Sequence, residues 1–328
     1  MGRQDKILTI SIAAYNVEKY ISNTLNSLIC QKMDKLEVII QNDGSTDRTA
    51  NIVDEYVKKY PNTFILNNKK NGGYGSTINA SLEMANGKYF KQLDGDDWFD
   101  SSNLDAYIDL LEKIDVDCVV TPFTCFYEDD SNKTNIYKSR LDIGLYSLEN
   151  VMKSSNDIFK MHLLTYKMQL LRNINMHILE KCFYTDQEYI MYPLIKAKNI
   201  FISNLNIYCY RLGNEGQSVS KSGIIKHYKD HIRVLNKILQ CATEIEKCDK
   251  YTKKSLKHHL KVLVAQQYIM YLTLPESKEV KEEIVEFDKS LRNEFPNYYE
   301  VPFLHHWLTI KLLRCLNFKF YNKLSNKY

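Results

Sequence analysis

No run of 18 apolar residues occurs in this chain, so no membrane-spanning helix is expected. Cys-x-x-Cys pairs are also missing, and none of the eight cysteines is spaced with histidine as a zinc site requires. Several cysteines sit in apolar runs, as Cys118 does in Val116-Asp117-Cys118-Val119-Val120, and read as core thiols in a reducing cytosol. The first strand-like run ends in Ala13-Ala14-Tyr15-Asn16, where a dinucleotide-binding sheet needs a Gly-x-Gly-x-x-Gly turn; a nicotinamide oxidoreductase is disfavoured. Gly72-Gly73-Tyr74-Gly75 is not a Walker loop either. Basic residues are dispersed and no nucleic-acid-binding motif appears, so nucleic acid is not an expected partner. The polar start and the short, interrupted run Ile7 to Ala14 do not make a signal peptide. Repeats and low-complexity segments are absent.

What is present fits a soluble protein with one large domain and a smaller one: 328 residues, 44% apolar and 26% charged. The net charge of +4 is unevenly spread. Residues 1–220 lean acidic and residues 221–328 basic. Strand and helix signals alternate from residue 7 to residue 94, which predicts a mostly parallel sheet with helices on both faces. Strands are expected at 7–14, 36–40, 63–66 and 88–93, with helices over 17–31, after Ser45 or Thr46 as N-cap, and after the glycine turn. Later signals are a strand at 117–127, a polar loop at 128–140, a short helix near 148–153 capped by Ser147, an aperiodic stretch at 157–180, a helix after Thr185-Asp186 and a strand at 200–210. From about 221 the pattern is helical: 224–247, 251–273 and 277–293.

In such sheets ligands bind beyond the carboxyl ends of the strands. Tyr15-Asn16, Asn42-Asp43-Gly44, Asn71-Gly72-Gly73 and Asp94-Gly95-Asp96 all fall at strand ends, hence on one edge. Asp94, Asp96 and Asp97 leave one strand together. Like charges this close raise each other's pKa unless a cation or ligand lies between them. A divalent metal with a diphosphate is the matching partner, because magnesium takes one or two carboxylates and fills its remaining sites with phosphate and water. Taken singly, Asp43 could be turn chemistry and Asp186 a helix N-terminal acid.

The ordered set Ser11-Ile-Ala-Ala-Tyr-Asn16, Glu37-Val-Ile-Ile-Gln-Asn-Asp43-Gly-Ser-Thr-Asp47, Asn71-Gly72-Gly73, Gly87 to Trp98 with Asp94-Gly-Asp96-Asp97, Asp186, and Tyr208-Cys-Tyr-Arg211 to Gln217-Ser218-Val-Ser220 resembles the nucleotide-sugar glycosyltransferases of family 2. The resemblance covers about residues 7–220. It implies the A-type glycosyltransferase fold, a Rossmann-like α/β domain over 1–220, followed by a helical region over 221–328 for acceptor, membrane or oligomer contacts. It implies an inverting sugar transfer from a nucleotide sugar, a UDP-sugar by preference, to a glycan or lipid-linked acceptor of the bacterial cell surface. Mn2+ or Mg2+ would be held by Asp96 with Asp94. Ala14, Tyr15, Asn16, Asp43, Gly72, Gly73, Asp94, Gly95, Arg211 and Ser218 would bind the donor, and Asp186 would be the base, with Glu188 as its competitor. The sequence departs from the family at Thr77, where many relatives carry Arg, and at Gly95, where a small polar residue is commoner and the change should matter little. A degenerate, non-catalytic nucleotide-sugar-binding subunit is the alternative.

The segment 301–328 carries Lys311, Arg314, Lys319, Lys323 and Lys327 and no acids. It reads either as a docked helix, against this domain or in a homo-oligomer, or as a peripheral anchor at the cytoplasmic face of the membrane. Trp98 reads equally as core or sugar platform, Tyr208 and Tyr210 as structural, and His258-His259 and His305-His306 as surface residues.

Overall fold

The structure, a computed structural model, describes residues 6–128, 130–154, 159–213, 221–275, 277–302 and 307–318. Two compact units divide the chain: Met1–Ser154 with Phe159–Asn214, and Ser155–Ile158 with Glu215–Tyr328.

The first unit opens with β1 (Leu8–Ala14), α1 (Ile21–Asn26), β2 (Leu36–Asn42), α2 (Thr49–Lys59), β3 (Phe64–Asn68), α3 (Tyr74–Met84) and β4 (Tyr89–Asp94). β5 (Trp98–Phe99), α4 (Ser101–Lys113), β6 (Cys118–Val120), β7 (Phe123–Tyr127), β8 (Asp130–Tyr137) and β9 (Gly144–Ser147) follow. The unit closes with α5 (Leu148–Ser154), a short turn of helix at Met161–Leu163, β10 (Leu164–Lys167), α6 (Met168–Asn173), α7 (Asp186–Lys196), β11 (Asn199–Ile202) and β12 (Tyr208–Leu212).

The large sheet runs β3-β2-β1-β4-β10-β6-β11-β9, and a small sheet runs β5-β12-β7-β8. The half β3-β2-β1-β4 is parallel, as the alternation predicts. β10 enters antiparallel between β4 and β6, so the sheet as a whole is mixed. Register does the positioning: Ala14 pairs with Asn42, Asn42 with Asn68, and Ala13 with Asp94. The strand-end turns therefore share one edge.

β1 and β2 are covered on both faces, so their apolar residues form a near-continuous run rather than an alternation. Polar residues inside them are satisfied. Thr9 donates to Glu37 Oε2 at 2.6 Å, and Glu37 also accepts from Asn86 N and Nδ2. Ser11 and Gln41 both bond the Ser81 hydroxyl. Leaving such groups unpaired costs about 1–3 kcal/mol each.

Several local expectations need correction. The helix expected over 17–31 is confined to α1. Neither Ser45 nor Thr46 caps α2; Asp47 accepts from Thr49 N instead. Residues 130–137 form an edge strand, β8, rather than a loop. Their side chains from 133 on are exposed, so no apolar alternation marks them. Residues 200–210 break into β11 and β12, which serve different sheets. The aperiodic 157–180 stretch contains pieces too short to show a period.

The second unit holds α8 (Lys221–Leu239), α9 (Ala242–Glu246), α10 (Lys250–Thr273), α11 (Lys278–Glu294), α12 (Pro296–Tyr299) and α13 (Trp307–Cys315). Asp249 caps α10 and Ser277 caps α11. Asp288, buried in α11, pairs with Arg314 of α13 at 2.9 Å. The same guanidinium donates to Tyr299 O and Tyr268 OH and lies 3.9 Å from the Tyr299 ring centroid. This network docks α13 by Ile310, Leu313 and Arg314, and leaves Leu308, Lys311, Leu312 and Cys315 exposed.

α3 shows how a sequence detail fixes tertiary approach. A Cβ on Gly75 would stand 2.0 Å from the Leu179 carbonyl oxygen. Exposed-helix propensity alone would make Gly75→Ala stabilising by about 0.5–1 kcal/mol. We expect the reverse, a loss of at least ~2 kcal/mol in urea unfolding, because backbone blocks the added methyl. An unchanged or raised midpoint would contradict the packing.

Candidate functional site

β4 ends at Asp94, and Asp97 N donates to Asp94 O at 3.1 Å to close a tight turn through Gly95 and Asp96. The Thr24 hydroxyl, from α1, lies 3.0 Å from Gly95 O and 2.6 Å from Asp97 O. Gly95 N donates to Ala13 O, and a Cβ at 95 would come within 2.7 Å of that oxygen. Glycine is thus fitted to this turn, against the expectation that the change matters little. Asp97 is fully buried, and its carboxylate accepts from Tyr208 OH and Arg211 N, each at 2.7 Å. It anchors the turn to β12. Asp94 and Asp96 are half-buried, and Asp94 Oδ1 accepts from Tyr74 OH at 2.6 Å.

Burial, and then the charge of Asp96, push the Asp94 carboxyl up to about 7; Asp186 adds to the same effect. Burial, then the charges of Asp94 and Asp96, also hold Asp97 well above the carboxylate range. Excess negative potential is stored here, and a divalent cation would relieve it. The donors suit such an ion: ligand atoms of Asp94, Asp97 and His162 lie within 4.8 Å of one another. Asp97 already gives both oxygens to protein donors, which leaves Asp94 and His162 as the other members of that cluster; Asp96 follows Asp94 in the same turn.

Asp43 is held by donors of the protein itself. It is buried, takes Lys69 Nζ at 2.5 Å, and accepts the backbone N–H groups of Gly72 at 2.9 Å and Gly73 at 2.8 Å. It therefore pins the glycine turn. Gly73 adopts φ +79° at the N-cap of α3, a conformation that favours glycine. The next residue, Tyr74, delivers its hydroxyl to Asp94. Asp43 and Asp94 are thus joined through Gly73 and Tyr74. Thr77 is buried and bonds Tyr74 O, so it sends no charge to this edge.

The segment before α7 lies against α3. Lys181 N donates to Gly72 O, and Asn79 exchanges hydrogen bonds with both backbone groups of Ile178. Glu188 is fully buried and accepts from Leu179 N and Tyr192 OH. Its carboxylate is a strut, which sets it apart from Asp186. Asp186 opens α7 half-buried, accepts from Gln187 Nε2 at 2.8 Å, and has its pKa raised by burial. Its charge is felt at Tyr74 and Asp94.

Ala14 is buried and accepts from Asp43 N; Tyr15 is exposed at the same edge. Asn16, at φ +53°, accepts from Thr46 N and so ties the first two turns together. Arg211 is clasped between the Tyr20 and Trp98 rings, 4.8 and 4.7 Å from their centroids, and its Nε donates to Asp96 O. Trp98 is the shelf for this guanidinium. Ser218 and the His305-His306 pair lie outside the described residues.

The sequence reading missed Tyr74, Lys91, Met161 and His162. Lys91 is fully buried under β10, donates to His162 O and Leu164 O, and is pushed down to about 7 by burial. It fixes the turn that brings Met161 Sδ within 3.3 Å of Tyr74 OH. An interior lysine in the strand leading to Asp94 was the available signal, since lysine is seldom fully buried without a partner. Tyr74→Phe should cost about 1.5–3 kcal/mol of stability where Asp94 is ionised, the scale of a hydrogen bond to a charged group, and should weaken divalent-metal binding by freeing Asp94. Calorimetric metal titration checks this; unchanged metal affinity would mean that Tyr74 does not position Asp94.

The family model described as Glycosyl transferase family 2 matches residues 9–183. An uncharacterized glycosyltransferase of Haemophilus influenzae is 37% identical over 109 residues, 33% of this chain and 34% of that one. The chondroitin synthase of Escherichia coli is 27% identical over 268 residues, covering 77% of this chain and 37% of the synthase. These matches span about a third of the length of either relative. Among solved structures, S. aureus TarS 1–349 in complex with UDP aligns with a TM-score of 0.70 at 18% identity, over 98% of this chain and 91% of that one, which shows the shared fold. With the family model covering more than half of its length, the chain belongs to glycosyl transferase family 2.

Proposed function

We propose that the protein is an inverting, divalent-metal-dependent glycosyltransferase that moves a sugar from a UDP-sugar to a hydroxyl of a glycan or lipid-linked acceptor in cell-surface polysaccharide synthesis. The observation that carries this reading is the link from Asp43 through Gly73 and Tyr74 to Asp94, with Asp186 electrostatically beside it. It gathers residues far apart in the chain around one place.

In this reading Tyr15, Asn16 and the Ala14–Asp43 turn pair face the nucleotide, with Gly72 and Gly73 shaping the wall. Asp96 with Asp94 would hold Mn2+ or Mg2+, which when bound supplies Lewis-acid neutralisation of the departing diphosphate. Arg211 adds positive charge beside the same turn while its bond to Asp96 O keeps the turn in place. Ser218 completes the donor set. Asp186 takes the proton from the acceptor hydroxyl; its raised pKa makes it a better base than an exposed aspartate. One in-line displacement inverts the anomeric carbon. We assign residues 1–220 to catalysis and 221–328 to acceptor, oligomer or membrane contacts at the cytoplasmic side. TarS with UDP supports the nucleotide class, and the chondroitin synthase likeness supports a polysaccharide product.

Asp186→Asn should leave UDP binding intact and lower turnover roughly a hundredfold or more. Asp96→Ala should abolish the stimulation of UDP binding by Mn2+. Calorimetry with UDP and a coupled assay of UDP release measure both. Full turnover in Asp186→Asn would remove the base assignment. Metal-stimulated UDP binding that survives Asp96→Ala would remove the metal assignment.

A further inference from the structure

The small sheet has an aromatic face beside the acidic turn, with Phe123, Cys125 and Tyr208 buried in it and Tyr127, Tyr137 and Tyr210 at least partly exposed. Phe123 pairs with Tyr208 on one side and Tyr137 on the other; Cys125 pairs likewise with Tyr210 and Asn135. Alternation puts Tyr127, two residues further along β7, on the same face. His162 lies on it too, with ring centroids 4.9 Å from Phe123 and Tyr208 and 4.3 Å from Tyr210. Phe123 and Tyr137 stack at 4.9 Å with an 8° interplanar angle.

Two exposed lysines fringe this floor. Lys160 Nζ stands 4.3 Å from the Tyr137 centroid, and Lys133 Nζ stands 4.6 Å from that of Tyr127. Neither has a carboxylate partner among the described residues. On the opposite face Arg211 pairs with Glu128 at 3.3 Å. At its inner end the floor abuts the acidic turn: a His162 ring nitrogen lies within 4.8 Å of carboxylate oxygens of Asp94 and Asp97. His162 Nδ1 is itself buried with no hydrogen-bond partner.

We propose that this face is the acceptor subsite and that it takes an anionic glycan, a chain of sugar or polyol units bearing carboxylate or phosphodiester groups. The inference rests on the glycosyltransferase reading. The apolar C–H faces of a sugar gain by covering accessible aromatic edges, as any apolar surface does. Tyr137, Tyr210, Tyr127 and His162 keep such edges partly open. A cation–π contact at an exposed site is worth only about 0.5–1 kcal/mol, so Lys133 and Lys160 can leave their rings for an anion. Ammonium groups recognise carboxylate and phosphate as point charges and do not select between them. The floor runs outward from the acidic turn, so a chain laid along it would present its terminal hydroxyl at that turn.

Calorimetric binding tests this with a glucuronate-containing hexasaccharide, a glycerol-phosphate hexamer and a neutral glucose hexasaccharide, each in the presence of UDP and Mn2+. At least one anionic chain should bind ten or more times tighter than the neutral one, and which one binds identifies the anion. Lys133→Glu/Lys160→Glu should weaken that binding at least tenfold while UDP affinity and the thermal midpoint stay unchanged. Equal affinity for the neutral chain, no binding of either anionic chain, or undiminished binding by the double variant would overturn the proposal. Loss of UDP binding in the unmodified protein would instead overturn the donor reading on which it rests.

Discussion

Negative charge is crowded at the carboxyl edge of the sheet, and the surrounding structure serves to keep it there. Asp97 is held by Tyr208 and the Arg211 backbone, and Asp94 by Tyr74. Thr24 grips the turn from the side of α1. Burial and the mutual charge of the cluster raise Asp94 and Asp97 above the ordinary carboxylate range. In the proposed function, a cation arriving with an anionic ligand would relieve that repulsion.

The glycine turn carries the second constraint. Asp43 spends its carboxylate on the Gly72 and Gly73 amides and on Lys69 rather than standing free. The absence of side chains at 73 and 75 lets the 178–182 segment lie on α3. This packing sets the start of α7, and with it Asp186. Glu188 and Asn79 lock the arrangement from either side. The glycine turn and the start of α7 thus depend on one close backbone approach.

Much of this was legible in the chain. The alternating half of the sheet follows from buried apolar runs punctuated by turn residues. The shared edge follows from topology, and the acidic motif from unusual charge density. What escaped reading has identifiable causes. β8 is an exposed edge strand with no alternation to show. β10 is four residues long and enters antiparallel, where no periodic signal could reveal its direction. Tyr74 and His162 act through contacts between residues separated by 20 or more positions, and tyrosine and histidine are ordinary in turns. Gly95 looked like a tolerated variation because the steric reason for it, the Ala13 carbonyl, belongs to another strand.

The central claim is that one edge of the sheet gathers a metal, a pyrophosphate and a base from distant parts of the chain. The most direct measurement is a crystal structure of the protein soaked with UDP and Mn2+. The account predicts the metal against the Asp94–Asp96 turn, bridged to the pyrophosphate, with the uracil beside Tyr15 and the Asp43 turn. Nucleotide bound anywhere else, or at that edge with the metal away from both Asp94 and Asp96, would contradict it.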